Sequence, residues 1–396
     1  MAQTTDKLWN SEYVKVMATN FSLFFAFYIL TPLLPIYLSE RFGAGKDVIG
    51  LVLSGYTITA LLFRPFSGYI VDSFNRKRVL VFFMVLSLVF YGFYLIAGTL
   101  VLFTIVRTLH GGPFGAGTVA NSTVAIDVLP SSRRNEGIGY YGLSNNIATA
   151  IAPTAGIAIY KLTNNFNILF LIALFFAFVS VVTASTVKLP KRLPVQNKKK
   201  ISLDRFFLTN GWFLGANVAF FSLCYGVLSN YLAIYGKEVL GITHGTGMFF
   251  FLLSLGLIMS RLQGGESLRK GRLTRHAGVG ILISTVGYAT FVISPHPVCF
   301  YLSALLVGLG NGHMYPAFQN MIIASAHHNE RGTANSTLLT CWDIGIGLGV
   351  LIGGVISEYV SYQAAFWTVV AVHIAGALMF FTFTNRMFEK KRIIED

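Results

Sequence analysis

The segment Arg64-Pro-Phe-Ser-Gly-Tyr-Ile-Val-Asp-Ser-Phe-Asn-Arg-Lys-Arg78 contains a short basic loop between two long apolar runs. These runs cover residues 48–71 and 79–97, and each is close to the roughly 20 residues that cross a bilayer. A loop this short and this basic stays on the cytoplasmic side of a membrane. We expect Asp72 to cap a helix or to meet a base, and Asn75 to occupy a turn position that tolerates the left-handed conformation.

The whole chain is as apolar as a polytopic membrane protein. Of its 396 residues, 54% are hydrophobic and only 12% are charged, and its mean hydropathy is +0.64. Twelve apolar runs are long enough to be spans, and they begin near Val16, Val48, Val79, Leu100, Gly139, Phe166, Phe213, Thr246, Ala277, Val298, Thr333 and Ala364. We therefore predict an all-α polytopic membrane protein with twelve transmembrane helices.

The basic residues are unevenly distributed along the chain. The formal net charge of +14 would suggest nucleic acid binding in a soluble protein. If the amino terminus is cytoplasmic, however, most of the 30 Lys and Arg residues fall in cytoplasmic segments, as the positive-inside rule requires. This distribution places both termini in the cytoplasm and accounts for the basic excess without a nucleic acid partner.

The second half of the chain repeats the first at a constant offset of 197 residues. Identical residues recur at this offset in the pairs Asn20 and Asn217, Tyr28 and Tyr225, Arg64 and Arg261, Gly68 and Gly265, Gly111 and Gly308, Gly115 and Gly312, Arg134 and Arg331, and Gly156 and Gly353. Such a repeat predicts two six-helix bundles of like topology. We assign them to residues 1–187 and 209–396, joined by a basic cytoplasmic linker at 188–208. Arg269 stands where the first half has Asp72.

The opening loop carries a recognisable family signature, formed by Gly68, Asp72, Arg76, Lys77 and Arg78. This pattern resembles the loop between the second and third helices of the major facilitator superfamily, although Asn75 replaces the family's second glycine. The resemblance implies a cytoplasmic charge network of Asp72, the Arg76–Arg78 cluster and Asp127 that holds an inside-closed state. The alternative is a merely solvated charged face.

The fourth span contains Arg107 and, about one turn later, His110. This stretch resembles the fourth-helix motif of the same family, with His110 where glutamine is common. Placing an arginine within a bilayer is energetically costly unless it faces a water-filled cavity or a partner. We therefore expect Arg107 to have a functional role. The alternative is a structural arginine held by carbonyl groups. His110 could titrate near neutral pH, but a neutral hydrogen-bonded core histidine is equally consistent with the sequence.

The family resemblance also implies which helices line a central cavity, namely the first, fourth, seventh and tenth. The candidate cavity residues are therefore Asn20, Arg107, His110, Asn217, Tyr225, Asn311 and His313. The fifth span contains Ala152-Pro153-Thr-Ala-Gly156, which resembles a motif associated with antiporters in the family. It departs from that motif at Ala152 and Ala155.

Asp343 is the one acidic residue that the sequence places deep within a span. A desolvated carboxyl group can hold a proton and release it when its surroundings change. Asp343 and His110 are therefore the candidates for proton coupling. Alternatively, Asp343 hydrogen-bonds neighbouring helices and has only a structural role.

These observations predict a secondary transporter that exports a small organic molecule in exchange for protons by alternating access. No nucleotide-binding loop and no metal-ligand or disulfide spacing of cysteines occurs, so we expect a proton gradient to supply energy, with no cofactor or metal. We expect the protein to be a monomer in the bacterial inner membrane. Its partners would be a small-molecule substrate, protons and the lipid bilayer. The alternatives are a nutrient symporter or facilitator and, from another class, a membrane-embedded sensor or structural protein. An enzyme is not expected.

Overall fold

The computed structural model of the protein describes residues 7–189, 206–242, 246–294 and 296–393. Throughout these ranges the regular structure is helical, and no strand occurs in them. Most of the predicted linker at 188–208 lies outside the described residues.

The first half of the chain consists of long helices with short connections. Its helices are α1 (Ser11–Leu30), α2 (Leu34–Phe42), α3 (Lys46–Ser73), α4 (Arg76–Ile96), α5 (Leu100–Val128), α6 (Arg134–Thr163) and α7 (Phe166–Thr186). The second half repeats this pattern with α8 (Trp212–Glu238), α9 (Thr246–Arg269), α10 (Leu273–Ile293), α11 (Pro297–Ala324), α12 (Arg331–Tyr359), α13 (Tyr362–Met379) and α14 (Asn385–Lys391). A π-helical turn at Phe380–Thr384 joins α13 to α14.

Twelve of the helices in the described ranges have at least 18 residues, and each begins close to a predicted span. Eight of these, α1, α4, α7, α8, α9, α10, α12 and α13, are also apolar enough to cross a membrane by composition alone. The other four, α3, α5, α6 and α11, each contain a proline and several polar residues, which lower their mean hydropathy. The prediction of a twelve-helix membrane protein is confirmed.

The first predicted span, residues 16–38, is broken into α1 and α2. The helix ends at Leu30, and Pro32 lies in the turn that follows. Pro35 lies in the first turn of α2. Backbone N–H groups in the first turn have no partner within the helix, so proline loses no hydrogen bond there. The paired prolines therefore divide the span, because a proline in a helix interior removes one hydrogen bond and crowds the preceding turn.

The chain packs into two compact units. The first comprises Met1–Gly137, Tyr141–Phe207 and Asn329–Ser336, and the second comprises Ile138–Tyr140, Leu208–His328 and Thr337–Asp396. The amino-terminal turns of α12 thus pack with the first unit. The proposed halves at 1–187 and 209–396 remain a prediction from the sequence repeat.

The sequence repeat has a direct counterpart in how helices cross inside each unit. In the first unit, a Cβ added to Gly111 would lie 2.0 Å from the carbonyl oxygen of Tyr56 on α3. In the second unit, a Cβ added to Gly308 would lie 2.0 Å from the carbonyl oxygen of Leu253 on α9. Tyr56 and Leu253 are themselves separated by 197 residues. Glycine is therefore required at both crossings, because no other residue permits this backbone approach.

Each unit has an apolar core of its own. In the first unit α1, α2, α4, α5 and α7 contribute residues such as Leu38, Tyr91 and Phe170, and in the second α8 to α11 and α13 contribute Leu232, Phe291 and Phe366. Many large apolar side chains remain exposed, including Leu51, Leu62 and Leu262. Exposed apolar surface on this scale suits a protein whose outer face contacts lipid rather than water.

Candidate functional site

The basic loop between α3 and α4 contains a buried charge network. Arg76, at the start of α4, is only 2% exposed. One of its terminal nitrogens donates to both carboxylate oxygens of Asp127, at 2.7 and 2.6 Å, and the other donates to Asp72 at 2.7 Å. Asp72 ends α3 and Asp127 ends α5, so a single guanidinium joins three helices. We call Asp72, Arg76 and Asp127 the loop network.

Asp72 also caps the amino terminus of α12. Its carboxylate accepts hydrogen bonds from the backbone N–H of Gly332 at 2.9 Å, from that of Thr333 at 2.8 Å, and from the Thr333 hydroxyl at 3.0 Å. The positive end of a helix dipole favours an anion at this position. The sequence left two roles open for Asp72, a helix cap or a partner for a base, and the structure shows both.

Close backbone contact brings α12 to the loop network. A Cβ on Gly332 would lie 2.8 Å from the carbonyl oxygen of Gly68, and a Cβ on Gly68 would lie 2.8 Å from the Cα of Thr333. The Ser336 hydroxyl donates to the carbonyl oxygen of Arg64. Gly68, which the sequence singled out, therefore lets α12 approach α3. Sequence analysis missed the partners on α12, for which the only signal was that Arg331 repeats Arg134.

The rest of the loop differs in part from what its sequence suggested. Asn75 has φ −67° and ψ 111°, so it is not in the left-handed region. It is the N-cap of α4, and its side chain accepts a hydrogen bond from the N–H of Arg78. Asn is among the preferred residues for this role, so capping rather than turn conformation accounts for it. Lys77 is half-buried and Arg78 is exposed, whereas Arg76 is enclosed.

Arg107 and His110 meet on one face of α5, as their spacing predicted, and both contact Tyr94 of α4. The Arg107 guanidinium donates to the Tyr94 hydroxyl at 3.2 Å, and the Nδ1 of His110 lies 2.8 Å from the same oxygen. The guanidinium carbon is 4.0 Å from the centre of the Tyr56 ring, within the range of a cation–π interaction. We call Arg107, His110, Tyr94 and Tyr56 the arginine cluster.

The two asparagines of the repeat bind their own neighbouring helices. Asn20 is buried, donates to the Ser144 hydroxyl at 2.9 Å, and accepts from the Tyr141 hydroxyl at 2.7 Å. Asn217 is also buried and donates to the carbonyl oxygen of Gly376 at 2.9 Å. Both side chains make helix-to-helix hydrogen bonds, and their role as cavity residues remains a prediction.

His313 pairs with a histidine that sequence analysis did not single out. The Nδ1 of His313 on α11 lies 3.2 Å from the Nε2 of His276 on α10, and both side chains are buried. Arg261 on α9 donates to the carbonyl oxygen of Gly312 at 2.8 Å. The structure therefore brings three groups that can carry positive charge into the interior of the second unit.

A second buried histidine, His373 on α13, was also missed. Its ring nitrogens lie 3.0 Å from the hydroxyl of Ser284 and 2.9 Å from that of Thr285, both on α10. Each hydroxyl also bonds a carbonyl group of its own helix. Histidine and hydroxyl residues here fasten α13 to α10, and nothing in a hydropathy pattern distinguishes them from ordinary span residues.

The remaining candidates, Tyr225, Asn311 and Asp343, all lie in the second unit. The ring of Trp342 on α12 is 5.9 Å from that of Tyr225 and 5.0 Å from that of Tyr315. Asp343 follows Trp342 directly and is half-buried, while Asn311 on α11 is buried. Asp343 is thus less enclosed than its position in the middle of a span suggested.

Comparison with known proteins identifies the fold and its family. The sequence profile described as Major Facilitator Superfamily matches residues 16–349 and 269–395. The chain belongs to the Major Facilitator Superfamily. It is a multi-pass membrane transporter and not an enzyme.

Two similar superfamily members of known name are export or resistance proteins of Staphylococcus aureus. The staphylopine export protein is 23% identical over 89% of this chain and 90% of its own length. The quinolone resistance protein NorA is 21% identical over 91% of this chain and 93% of its own length.

Solved structures of superfamily transporters share the fold. The human organic anion transporter MFSD10 (TETRAN) superposes with a TM-score of 0.80 at 16% identity, covering 94% of this chain and 100% of that one. A bacterial homologue of the iron transporter ferroportin, in an outward-facing state, gives a TM-score of 0.77 at 15% identity, covering 95% of this chain and 100% of that one.

Proposed function

We propose that this superfamily member exports a small organic molecule in exchange for protons, by alternating access, from the cytoplasm across a bacterial plasma membrane. The observation that carries the proposal is the loop network with its cap on α12. A buried ion pair is stable only while its geometry is intact, so the network acts as a latch that is either fully formed or released. A latch of this kind suits a transporter that alternates between two states.

The export direction is supported by the similar proteins and by the antiporter-like stretch at 152–156. The names of the staphylococcal relatives refer to export and to quinolone resistance. Asp343 and His110 are the proposed proton carriers, because each lies within a span and can exist charged or neutral. The protein acts as a monomer with both termini in the cytoplasm, and the proton gradient is its energy source.

The proposal is tested by measuring proton movement in inside-out vesicles that hold an imposed pH gradient. A panel of anionic, cationic and neutral compounds is added, and dissipation of the gradient is followed with a pH-sensitive dye. We expect at least one compound to dissipate the gradient with the wild-type protein. Asp343→Asn or His110→Ala should abolish that response.

The matched control is Glu358→Gln, which makes the same kind of change to an exposed carboxylate on the same helix as Asp343. It should leave the response intact. If labelled compounds equilibrate across proteoliposomes while no compound moves protons, the protein is a facilitator and the antiport proposal is wrong. Uphill uptake driven by an inward proton gradient would instead identify a symporter.

A further inference from the structure

We propose that the arginine cluster binds the anionic group of the transported molecule, so that the substrates are organic anions with an apolar or aromatic body. This inference rests on the proposed transport function but not on proton coupling. It assigns a ligand chemistry to Arg107, His110 and Tyr94 that the fold does not by itself require.

The first argument is one of charge. Arg107 is 4% exposed, yet the helices packed around it carry acids only near their ends: Glu12 on α1, Asp47 and Asp72 on α3, and Asp127 on α5. Asp127, the acid of its own helix, is 20 residues away, which is about 30 Å along a helix. Among the described residues of α1, α3, α4 and α5, no carboxylate therefore lies at the depth of this guanidinium.

The other titratable and charged groups near Arg107 do not offset its charge. Tyr56 of α3 and Tyr94 of α4 contact it directly, and Tyr91 of α4 packs against His110. All three are phenols, and Arg64, a further charged group on α3, is another cation. A cation in a low-dielectric interior is costly unless it is paired, and a substrate anion would supply the pairing.

The second argument concerns hydrogen bonds that are available but unused. Among the described residues, neither the Nε of Arg107 nor the Nε2 of His110 has a hydrogen-bond partner, although both side chains are buried. A guanidinium presents five N–H donors in a fork that matches a carboxylate. Two neighbouring side chains thus retain nitrogen atoms that could contact an anionic group.

The third argument comes from the repeat, which provides an internal control. At the offset of 197 residues, Tyr56, Tyr94, Arg107 and His110 correspond to Leu253, Phe291, Ala304 and Val307. All four of these second-half residues belong to one apolar core cluster. The same backbone arrangement is therefore compatible with purely apolar side chains, so the fold does not require the polar residues of the first half.

Aromatic rings beside the cluster indicate the body of the ligand. Phe114 packs against Phe27 at 4.9 Å, against Phe24 at 5.5 Å and against Tyr56 at 5.6 Å between ring centres. Phe24 and Phe27 on α1 are only half-buried. A flat apolar group can stack on such rings while its anionic group reaches Arg107.

The test measures binding to the purified full-length protein in nanodiscs at constant pH. The probes are benzoate, salicylate and indole-3-acetate, each compared with its uncharged amide, and binding is followed by tryptophan fluorescence and by thermal stabilisation. We expect at least one acid to bind at least 10-fold more tightly than its amide. Arg107→Gln should remove that preference, and Arg41→Gln, at an exposed base of the same unit, should retain it.

A second variant guards against misfolding. The triple change Tyr94→Phe, Arg107→Ala and His110→Val installs the side chains that the second unit already accommodates, and it should fold while losing the preference for acids. The inference is overturned if no acid binds, if amides bind as tightly as acids, or if the triple variant still prefers acids.

Counterflow of a bound acid without a pH gradient separates this inference from the proposed function. If the acid exchanges across proteoliposomes but moves no protons, the anion site stands and antiport fails. If protons move only with cationic or neutral compounds, antiport stands and the anion site fails.

Discussion

The two halves of the chain share the glycines at their helix crossings but differ in the residues around them. Gly111 and Gly308 contact equivalent backbone carbonyls, at Tyr56 and Leu253. The arginine cluster beside the first crossing has an apolar counterpart beside the second. The difference shows that the backbone arrangement depends on the small residues, whereas the chemistry of each half depends on side chains that the arrangement merely tolerates.

The largest expected effect comes from disrupting the glycine crossings that the two halves share. Gly111→Ala and Gly308→Ala would each place a Cβ 2.0 Å from a backbone oxygen, where no rotamer can relieve the clash. Overpacking typically lowers the free energy of unfolding by about 1–3 kcal/mol. Because the clash here is with backbone atoms, we expect a loss at or above the upper end of that range. We expect both to reduce the yield of monodisperse protein and to lower the melting temperature in detergent by similar amounts.

Gly92→Ala is the matched control, because a Cβ there would meet nothing within 4 Å. It should behave like the wild type. Normal folding of either crossing variant would contradict the view that the crossings define the fold.

The next effect concerns the loop, at which the halves differ. Asp72→Asn weakens the bond to Arg76 and the cap on α12, and loss of one member of a buried charge pair costs about 3 kcal/mol. Asn keeps one acceptor oxygen, so we expect about 2 kcal/mol of destabilisation and transport reduced at least 10-fold, measured in proteoliposomes.

Arg269→Asn changes the corresponding residue of the second half, which is exposed. Surface changes of this kind are usually within about 0.5 kcal/mol, so both stability and transport should be unaffected. Equal losses at the two positions would show that the loop network has no special role.

A smaller effect should follow from making the second half resemble the first at His373, whose counterpart is Phe176. His373→Phe removes two hydrogen bonds to α10, but Ser284 and Thr285 keep their bonds to carbonyl groups of α10. A net hydrogen bond contributes about 1 kcal/mol, and the apolar ring recovers part of the loss. We expect about 1 kcal/mol of destabilisation in thermal unfolding; a loss of more than about 3 kcal/mol would contradict a purely fastening role.

The smallest effect is expected at Asn75. Because it caps α4 with ordinary negative φ, Asn75→Gly should cost only a few tenths of a kcal/mol, whereas Asn75→Ala should cost about 1 kcal/mol. A turn that needed the left-handed conformation would instead be stabilised by glycine. The order of the two melting temperatures therefore distinguishes the roles.

The spans could be predicted from the sequence because the cost of placing polar groups in lipid is a local property of each run. Most of the predicted starting residues lie within a few positions of the observed helix starts. The break at Pro32 was not predicted, because a proline within a span is compatible with a continuous, kinked helix as well as with a break. The loop network was expected from the resemblance of Gly68, Asp72 and the Arg76–Arg78 cluster to the family's loop motif, whose residues are close together in the sequence.

The partners across the fold could not be predicted. The N–H groups that bind Asp72 belong to residues 260 and 261 positions later in the chain, and every helix begins with similar free donors. Tyr94 and His373 are ordinary residues of apolar spans until packing sets polar atoms beside them. Asn75 was misjudged because Asn suits both a left-handed turn and an N-cap, and the sequence alone does not separate the two.

The glycine crossings also restrict how the molecule can move. Where a helix backbone rests on another backbone, no side chain lies between them to change rotamer and accommodate sliding. We therefore expect α3 and α5 to move together as one rigid body during a transport cycle, and α9 and α11 to do the same. We expect the bending that such a cycle needs to occur at segments such as the turn between α1 and α2, where Pro32 interrupts the helical hydrogen bonds.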